Sequence, residues 1–325
     1  MGLSYETSPM SGPGSGTGSS NNGAVVPTRF PRRPDYRQVE QQQEQQAQAQ
    51  NQQAQNAQQA QINAQAQQAK QAAQLNQKAV TLGRTGHLAQ AIQLHEQAVQ
   101  LDPSNKQLRI NLSAARAAYG KQRLAAGDLN AACTLFRKAL AIAPDNGLAG
   151  KLLSDTLKRM GKNPSSADVR LALGDQLVSA NNYEGAAVEY EAAMQLEQSA
   201  RTYCKVGDVA LHYGQTATAV NWYQQALMKD SDYGPAYRQL GFIQAAQGDY
   251  TGAASSLRKA VIWDPKDSAA AQVLVEIWRR QVAASSSAQN HLGLAGALQL
   301  SGDLQGAAAE YREVQALDPR NAELE

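Results

Sequence analysis

From residue 72 onward the chain alternates apolar and polar positions with a helical period, in segments broken by Gly or Asn and closed by Pro. The clearest stretch runs from Gly234 to Asp267. Tyr237, Leu240 and Gly241 share the inner stripe of one predicted helix, Gln247, Gly248 and Asp249 form a turn, and Tyr250, Ala253, Leu257 and Ala260 mark a second helix before Pro265. Gly207 lies 34 residues before Gly241 in an almost identical setting. Self-similarity at that period predicts stacked helical pairs. Aligning the rest of the chain on this frame gives six units, beginning near residues 72, 113, 167, 200, 234 and 288.

The small residues hold one phase throughout. The second helix carries alanine at Ala91, Ala132, Ala186, Ala219, Ala253 and Ala307. Seven residues on stand Ala98, Ala139, Ala193, Ala226, Ala260 and, as the exception, Val314. The first helix has Gly120, Gly174, Gly207 and Gly241 at one place, with Ala79 and Ala295 in the other two units. Glycine inside a helix costs about 1 kcal/mol relative to alanine, so its recurrence requires a packing reason. We expect the partner helix to approach closely there, with its alanines as the matching groove. A bulky series, His95, Phe136, Tyr190, Tyr223, Leu257 and Tyr311, would fill the space between neighbouring pairs. Gly86, Gly127, Gly214, Gly248 and Gly302, with Asn181 in their place once, suit the left-handed residue that ends a helix. Pro103, Pro144, Pro265 and Pro319 stand where second helices should stop.

Together these residues closely resemble the tetratricopeptide repeat family over roughly residues 72–321. The departures are Gln198 and Ser231 at the closing proline and Arg123 at an apolar place. The resemblance implies an all-α fold, a right-handed superhelical solenoid of helix–turn–helix units. It also implies a non-enzymatic adaptor that holds a protein or peptide on the inner face of its first helices.

The spacing between units is uneven. Pro103 to Pro144 spans 41 residues, which predicts a first helix about two turns longer near 105–126. Pro144 to Gln198 and Pro265 to Pro319 each span 54 residues, one unit plus 20 more. The two longer stretches match at an offset of 121: GAAVEY at 185–190 against GAAAEY at 306–311, and SSA at 165–167 against SSA at 286–288. We read a duplication, with block one at 72–199 and block two at 200–325. Each holds three repeats and a solitary helix, near 147–160 and 268–283, at two equivalent changes of pitch.

The N-terminal part differs. Residues 1–35 are rich in Gly, Ser, Pro and Asn and are expected to be disordered. Residues 36–71 form a Gln/Ala-rich segment, and 38–77 hold 20 Gln. No Pro or Gly interrupts from Asp35 to Leu82, so one long solvated helix is expected. An Ala-seamed coiled coil and a disordered, self-associating low-complexity tract remain the alternatives. The chain ends shortly after Pro319 without a polar capping helix. We therefore expect a partly apolar end near Leu304, Tyr311 and Leu317, open to homo-oligomer formation, and assembly through this end or the Gln-rich arm is the alternative function.

Composition narrows the rest. A formal net charge of +2 does not point to nucleic acid. Cys133 and Cys204 form no C-x-x-C and fit a reducing compartment. The start shows no signal peptide, no apolar run reaches membrane-spanning length, and Glu6 breaks a myristoylation pattern, so a cytoplasmic location is expected. The four histidines lie in different units, and no metal-ligand spacing, nucleophile elbow or phosphate loop occurs. No catalytic, metal or cofactor role is expected. Glu189 and Glu191 read as solvated helix surface.

In family terms the groove-facing places of the 200 and 234 units are Arg201, Cys204, Lys205, Asp208, His212, Arg238, Gln239 and Phe242. They are the partner-binding candidates, because aromatic and Arg anchors dominate interfaces. The family's clamp for acidic C-terminal peptides is missing at Cys204, Asp208, Arg238 and Phe242. Its asparagine ladder is missing at Gln77, Ala118, Ala172, Lys205, Gln239 and Gly293.

Overall fold

The computed structural model describes residues 36–320, all helix and connecting turn. The expected disorder of residues 1–35 lies outside them. Helix α1 runs from Tyr36 to Arg84. Its stretch from 41 to 70 is exposed at every residue, a single solvated helix whose Gln and Ala favour helix without offering an apolar seam. Two units divide the chain, the first through Asn63 and the second from Ala64 on.

The second unit holds the helix pairs. The end of α1 pairs with α2 (Leu88–Leu101), and α3 (Lys106–Ala125) with α4 (Leu129–Ile142). After α5 (Gly147–Arg159) come α6 (Ala167–Ser179) with α7 (Tyr183–Leu196), and α8 (Ala200–His212) with α9 (Thr216–Lys229). Then α10 (Gly234–Ala246) pairs with α11 (Tyr250–Trp263), α12 (Ser268–Ala284) follows alone, and α13 (Ala288–Ser301) pairs with α14 (Leu304–Leu317). Helix α3 is the long first helix that the 41-residue spacing predicts, with 20 residues. Most of the helices begin where short polar side chains accept their orphan N–H groups. Asp128 bonds Ala131, Asn146 bonds Ala149, and Ser199 with Thr202 forms a reciprocal capping box. The first helices of the pairs end as predicted: φ lies between +72° and +87° at Gly86, Gly127, Gly214, Gly248 and Gly302, and Asn181 takes +61° in the one unit lacking glycine.

The core corrects the expected role of the small residues. The second-helix alanines are buried, from 0 to 3% exposed. The first-helix glycines, however, do not face them. They face the bulky residue sixteen positions on in their own pair. A Cβ on Gly120 would stand 2.5 Å from the Phe136 ring, and on Gly207 2.7 Å from the Tyr223 ring. One on Gly174 would enter the Tyr190 ring, and one on Gly241 would press on Leu257. At these four places the bulky residue therefore fills the space inside its own pair as well as packing towards the next helices. Phe136, Tyr190, Tyr223 and Leu257 are at most 1% exposed, each worth about 1.5–3 kcal/mol of burial. That exceeds the cost of the glycine.

The two solitary helices occur where the 121-residue offset puts them, but they pack differently. Helix α5 lies on α4 and α3, and α7 reaches back to pack directly on α4. Helix α12 instead stands between α11 and α13. At the α12–α13 contact the Trp278 indole packs against Gly293; block one has Leu157 and Ala172 at those places.

The α4–α7 contact overturns the reading of Glu189 as solvated surface. Glu189 is fully buried. It accepts from Arg137 Nε at 2.6 Å across that contact and from an Arg170 Nη at 2.7 Å. Arg170 also donates to the Pro164 carbonyl and to Ser154. In block two the equivalent Glu310 bonds His291 Nδ1 at 2.6 Å, and Arg258 is exposed.

Candidate partner-binding face

Helices α6, α8 and α10 are successive first helices, and polar side chains lace them edge to edge. At the α6–α8 seam Arg201 pairs with Asp168 at 2.9 Å and Lys205 with Asp175 at 2.7 Å. At the α8–α10 seam the Gln239 amide donates to Asp208 at 3.0 Å. Arg238 then crosses to Asp267, the N-cap of α12, at 2.6 Å, and its guanidinium lies 5.0 Å over the Phe242 ring.

The lacing grows out of the core packing. Asp175 and Asp208 each follow a first-helix glycine, Gly174 and Gly207. The tyrosine that covers each glycine extends its hydroxyl to the next residue's carboxylate: Tyr190 to Asp175 at 2.7 Å, and Tyr223 to Asp208 at 3.0 Å. One ring thus fills the pair and ties its floor to the groove. In the third unit the same places are Phe242 and Leu257, so the polar rung becomes an apolar contact.

The two carboxylates differ in electrostatics. Burial raises the affinity of Asp175 for a proton, but the hydrogen bonds from Lys205 and Tyr190 outweigh it and hold the group below the ordinary carboxylate range. Burial also raises Asp208, and there the neutral donors Tyr223 and Gln239, with more distant Lys205 and Arg238, do not reverse it. Burial with the nearby carboxylates pushes both tyrosines well above the usual phenol range.

Of the eight candidates from the sequence, Arg201, Lys205, Asp208, Arg238, Gln239 and Phe242 fall on this laced face. Cys204 is 4% exposed and packs in the core cluster of Tyr203 and Tyr223, its thiol pushed far up by burial. His212 is exposed at the end of α8, stacked on Tyr183 with ring centroids 3.3 Å apart and flanked by Tyr213. It belongs to an aromatic cluster at that end. A cavity of about 370 Å³ opens beside Arg238, walled by Pro235, Trp263 and Asp267. Sequence reasoning did not single out Asp175 or Asp267, and it placed Tyr190 and Tyr223 only as core filling. The Gly-Asp pair repeated at 174–175 and 207–208, with tyrosine fifteen residues on, was the available signal.

Among the described residues there is no group of three or more His, Cys, Asp or Glu able to hold a metal, and no helix long and apolar enough to cross a membrane. The family model for the tetratricopeptide repeat matches residues 210–277, from the end of α8 through most of α12. No curated protein matches the sequence. Among solved structures the chain is similar to MamA, at 16% identity over 63% of this chain and 96% of that one, with a TM-score of 0.31. It is similar to PilF of Pseudomonas aeruginosa at 16% identity, covering 79% and 96%, with a TM-score of 0.30. The human IFIT1 dimer with PPP-AAAA is similar at 16% identity, covering 75% and 63%, with a TM-score of 0.41. Residues 210–277 thus match the tetratricopeptide repeat, and the bulky-on-glycine contact found in that stretch between Leu257 and Gly241 recurs in the pairs α3–α4, α6–α7 and α8–α9.

Proposed function

We propose that the chain is a non-enzymatic scaffold that holds a protein or peptide partner on the face of α6, α8 and α10. The observation that carries this is the lacing itself. Arg201, Lys205, Arg238 and Gln239 are long, mobile side chains in the unfolded chain, and here each is fixed by a partner on the adjacent helix. Fixing them beforehand lowers the ordering cost of association. Arg238 stacked on Phe242 beside an open cavity supplies the aromatic and guanidinium pair that dominates interface energetics. The scaffold acts in a reducing compartment, the cytoplasm, in keeping with two buried free thiols. Its two blocks, 72–199 and 200–325, act as one continuous binding body.

The test is affinity capture from the native lysate with the full chain, wild type against Arg238→Glu with Phe242→Ala. Partners retained by the wild type and lost by the variant, with an unchanged circular dichroism spectrum, are the expected result. An identical set of partners would refute this choice of face.

A further inference from the structure

The polar lacing of the partner face stops where Arg238 of α10 reaches Asp267 at the head of α12. Further along the same two helices a cleft of about 380 Å³ opens, walled by Ala245 of α10, Tyr250 of α11, and Val273 and Ile277 of α12. Glu276 and Arg280 stand at its rim, paired with each other at 2.9 Å. The cleft therefore offers apolar walls framed by charges that already satisfy one another. The 121-residue offset shows what fits there. Across it α10, α11 and α12 correspond without a gap to α3, α4 and α5, and α12 lies on α11 and α10 as α5 lies on α4 and α3. At the place of Ala245 block one has Leu124, and at that of Val273 it has Leu152. Both leucines pack on the core of Phe136, Leu153 and Leu157. In block two the side chains at these two places are shorter. The larger Tyr250 and Ile277, at the places of Leu129 and Thr156, line the cleft without closing it. Ala245, Tyr250 and Val273 all remain partly exposed on their core.

We propose that this cleft takes a leucine-sized apolar side chain of the bound partner, which fills beside Ala245 the space that Leu124 fills in block one. The inference rests on the reading of α6, α8 and α10 as the partner face and continues that face onto α12. Phe242 stands three residues before Ala245 on α10, so the two share one stripe of the helix. The partner is thereby committed to an aliphatic anchor next to the segment held at Arg238 and Phe242. Each methylene taken from water into such a cleft adds to the affinity, whereas the self-paired rim leaves a charged side chain without a counterpart.

The experiment follows the Val273 and Ile277 methyl groups by NMR in full-length protein isotope-labelled at its Val and Ile methyls, each resonance being assigned by its loss in Val273→Thr and Ile277→Leu. The probe is N-acetyl-leucinamide, titrated in parallel with N-acetyl-alaninamide. The proposal expects saturable movement of both resonances with the leucine amide, nuclear Overhauser contacts from its methyls to Ile277, and about tenfold weaker or no response with the alanine amide. Ala245→Leu puts the block-one side chain into the cleft and should abolish the response with an unchanged circular dichroism spectrum. Val273→Thr exchanges a methyl of the wall for a hydroxyl and should weaken the Ile277 response several-fold, which decides the matter even if Ala245→Leu disturbs the fold. No response to the leucine amide, equal responses to the two amides, or a full response in either variant overturns the proposal. The two readings fail separately. Loss of partners in the Arg238 and Phe242 variant with no leucine response in the wild type removes only this inference. A leucine response with unchanged partner capture removes the choice of face and keeps the cleft as an apolar site.

Discussion

At the scale of single residues, this protein turns on what stands opposite a missing Cβ. The glycines of the first helices are tolerated because a bulky side chain, a ring in three of four cases, occupies the space they leave. Gly174→Ala should therefore destabilise by about 1–3 kcal/mol, since overpacking against Tyr190 outweighs the helix propensity gained. Gly296→Ala, in the same helical setting with nothing within 4 Å of the added carbon, should stabilise by up to about 1 kcal/mol. Urea denaturation of the two variants checks the pair, and equal effects would refute the ring-on-glycine account. His95 is the odd member of the bulky series, 4% exposed with Nδ1 unpartnered. Burial lowers its proton affinity. The unfolded chain takes up a proton near pH 6.5 and the folded chain only at lower pH, so this stability is complete above about pH 6.5 and is lost as pH falls towards the folded value. His95→Phe should raise stability by about 1 kcal/mol and flatten its decline between about pH 7 and pH 5, read from denaturation midpoints at both. Phase alone placed His95 in the core. The orphaned nitrogen was not legible, because it depends on what surrounds the ring.

At the scale of elements, the helices and turns were legible and the contacts between distant helices were not. The solitary helices read near 147–160 and 268–283 correspond to Gly147–Arg159 and Ser268–Ala284, because apolar phase and local breakers act within a few residues. The equivalence of their surroundings did not follow. Glu189 meets Arg137 across 52 residues of chain, and that meeting depends on α7 packing on α4. A glutamate flanked by valine and tyrosine carries no local mark of such a contact. Glu189→Gln should cost about 3–5 kcal/mol, because two buried arginines lose their shared anion. Glu310→Gln at the equivalent place should cost much less, since Glu310 is 24% exposed and holds only His291. Comparable losses would mean that the α4–α7 contact is not what the ion pair supports. Amide exchange in α4 and α7 locates the effect.

At the scale of the whole molecule, stability in a repeat array is close to a sum over neighbours, so the long polar helix and the repeats should be separable. Residues 41–63 are exposed throughout, and starting the chain at Ala64 should leave the thermal midpoint within about 2 °C of the full chain. A drop of several degrees would show that the Gln-rich stretch contributes to the fold. Sedimentation of the same two chains tests self-association through this arm. An unchanged molecular state leaves the arm without that role.

The sequence by itself determined the all-helical repeat, the turn residues and the identity of the small and bulky core positions, because each of these is set by sterics and hydrophobic phase within one helix pair. It also identified first-helix side chains that share a face. Only the tertiary structure decided that the glycines face the bulky residue of their own pair, that Glu189 is a buried anion, and that Asp208 on the laced face is bonded by neutral donors and has no paired cation. Each of those depends on which helix lies alongside which, and burial energies that depend on such distant neighbours leave no periodic trace in the chain.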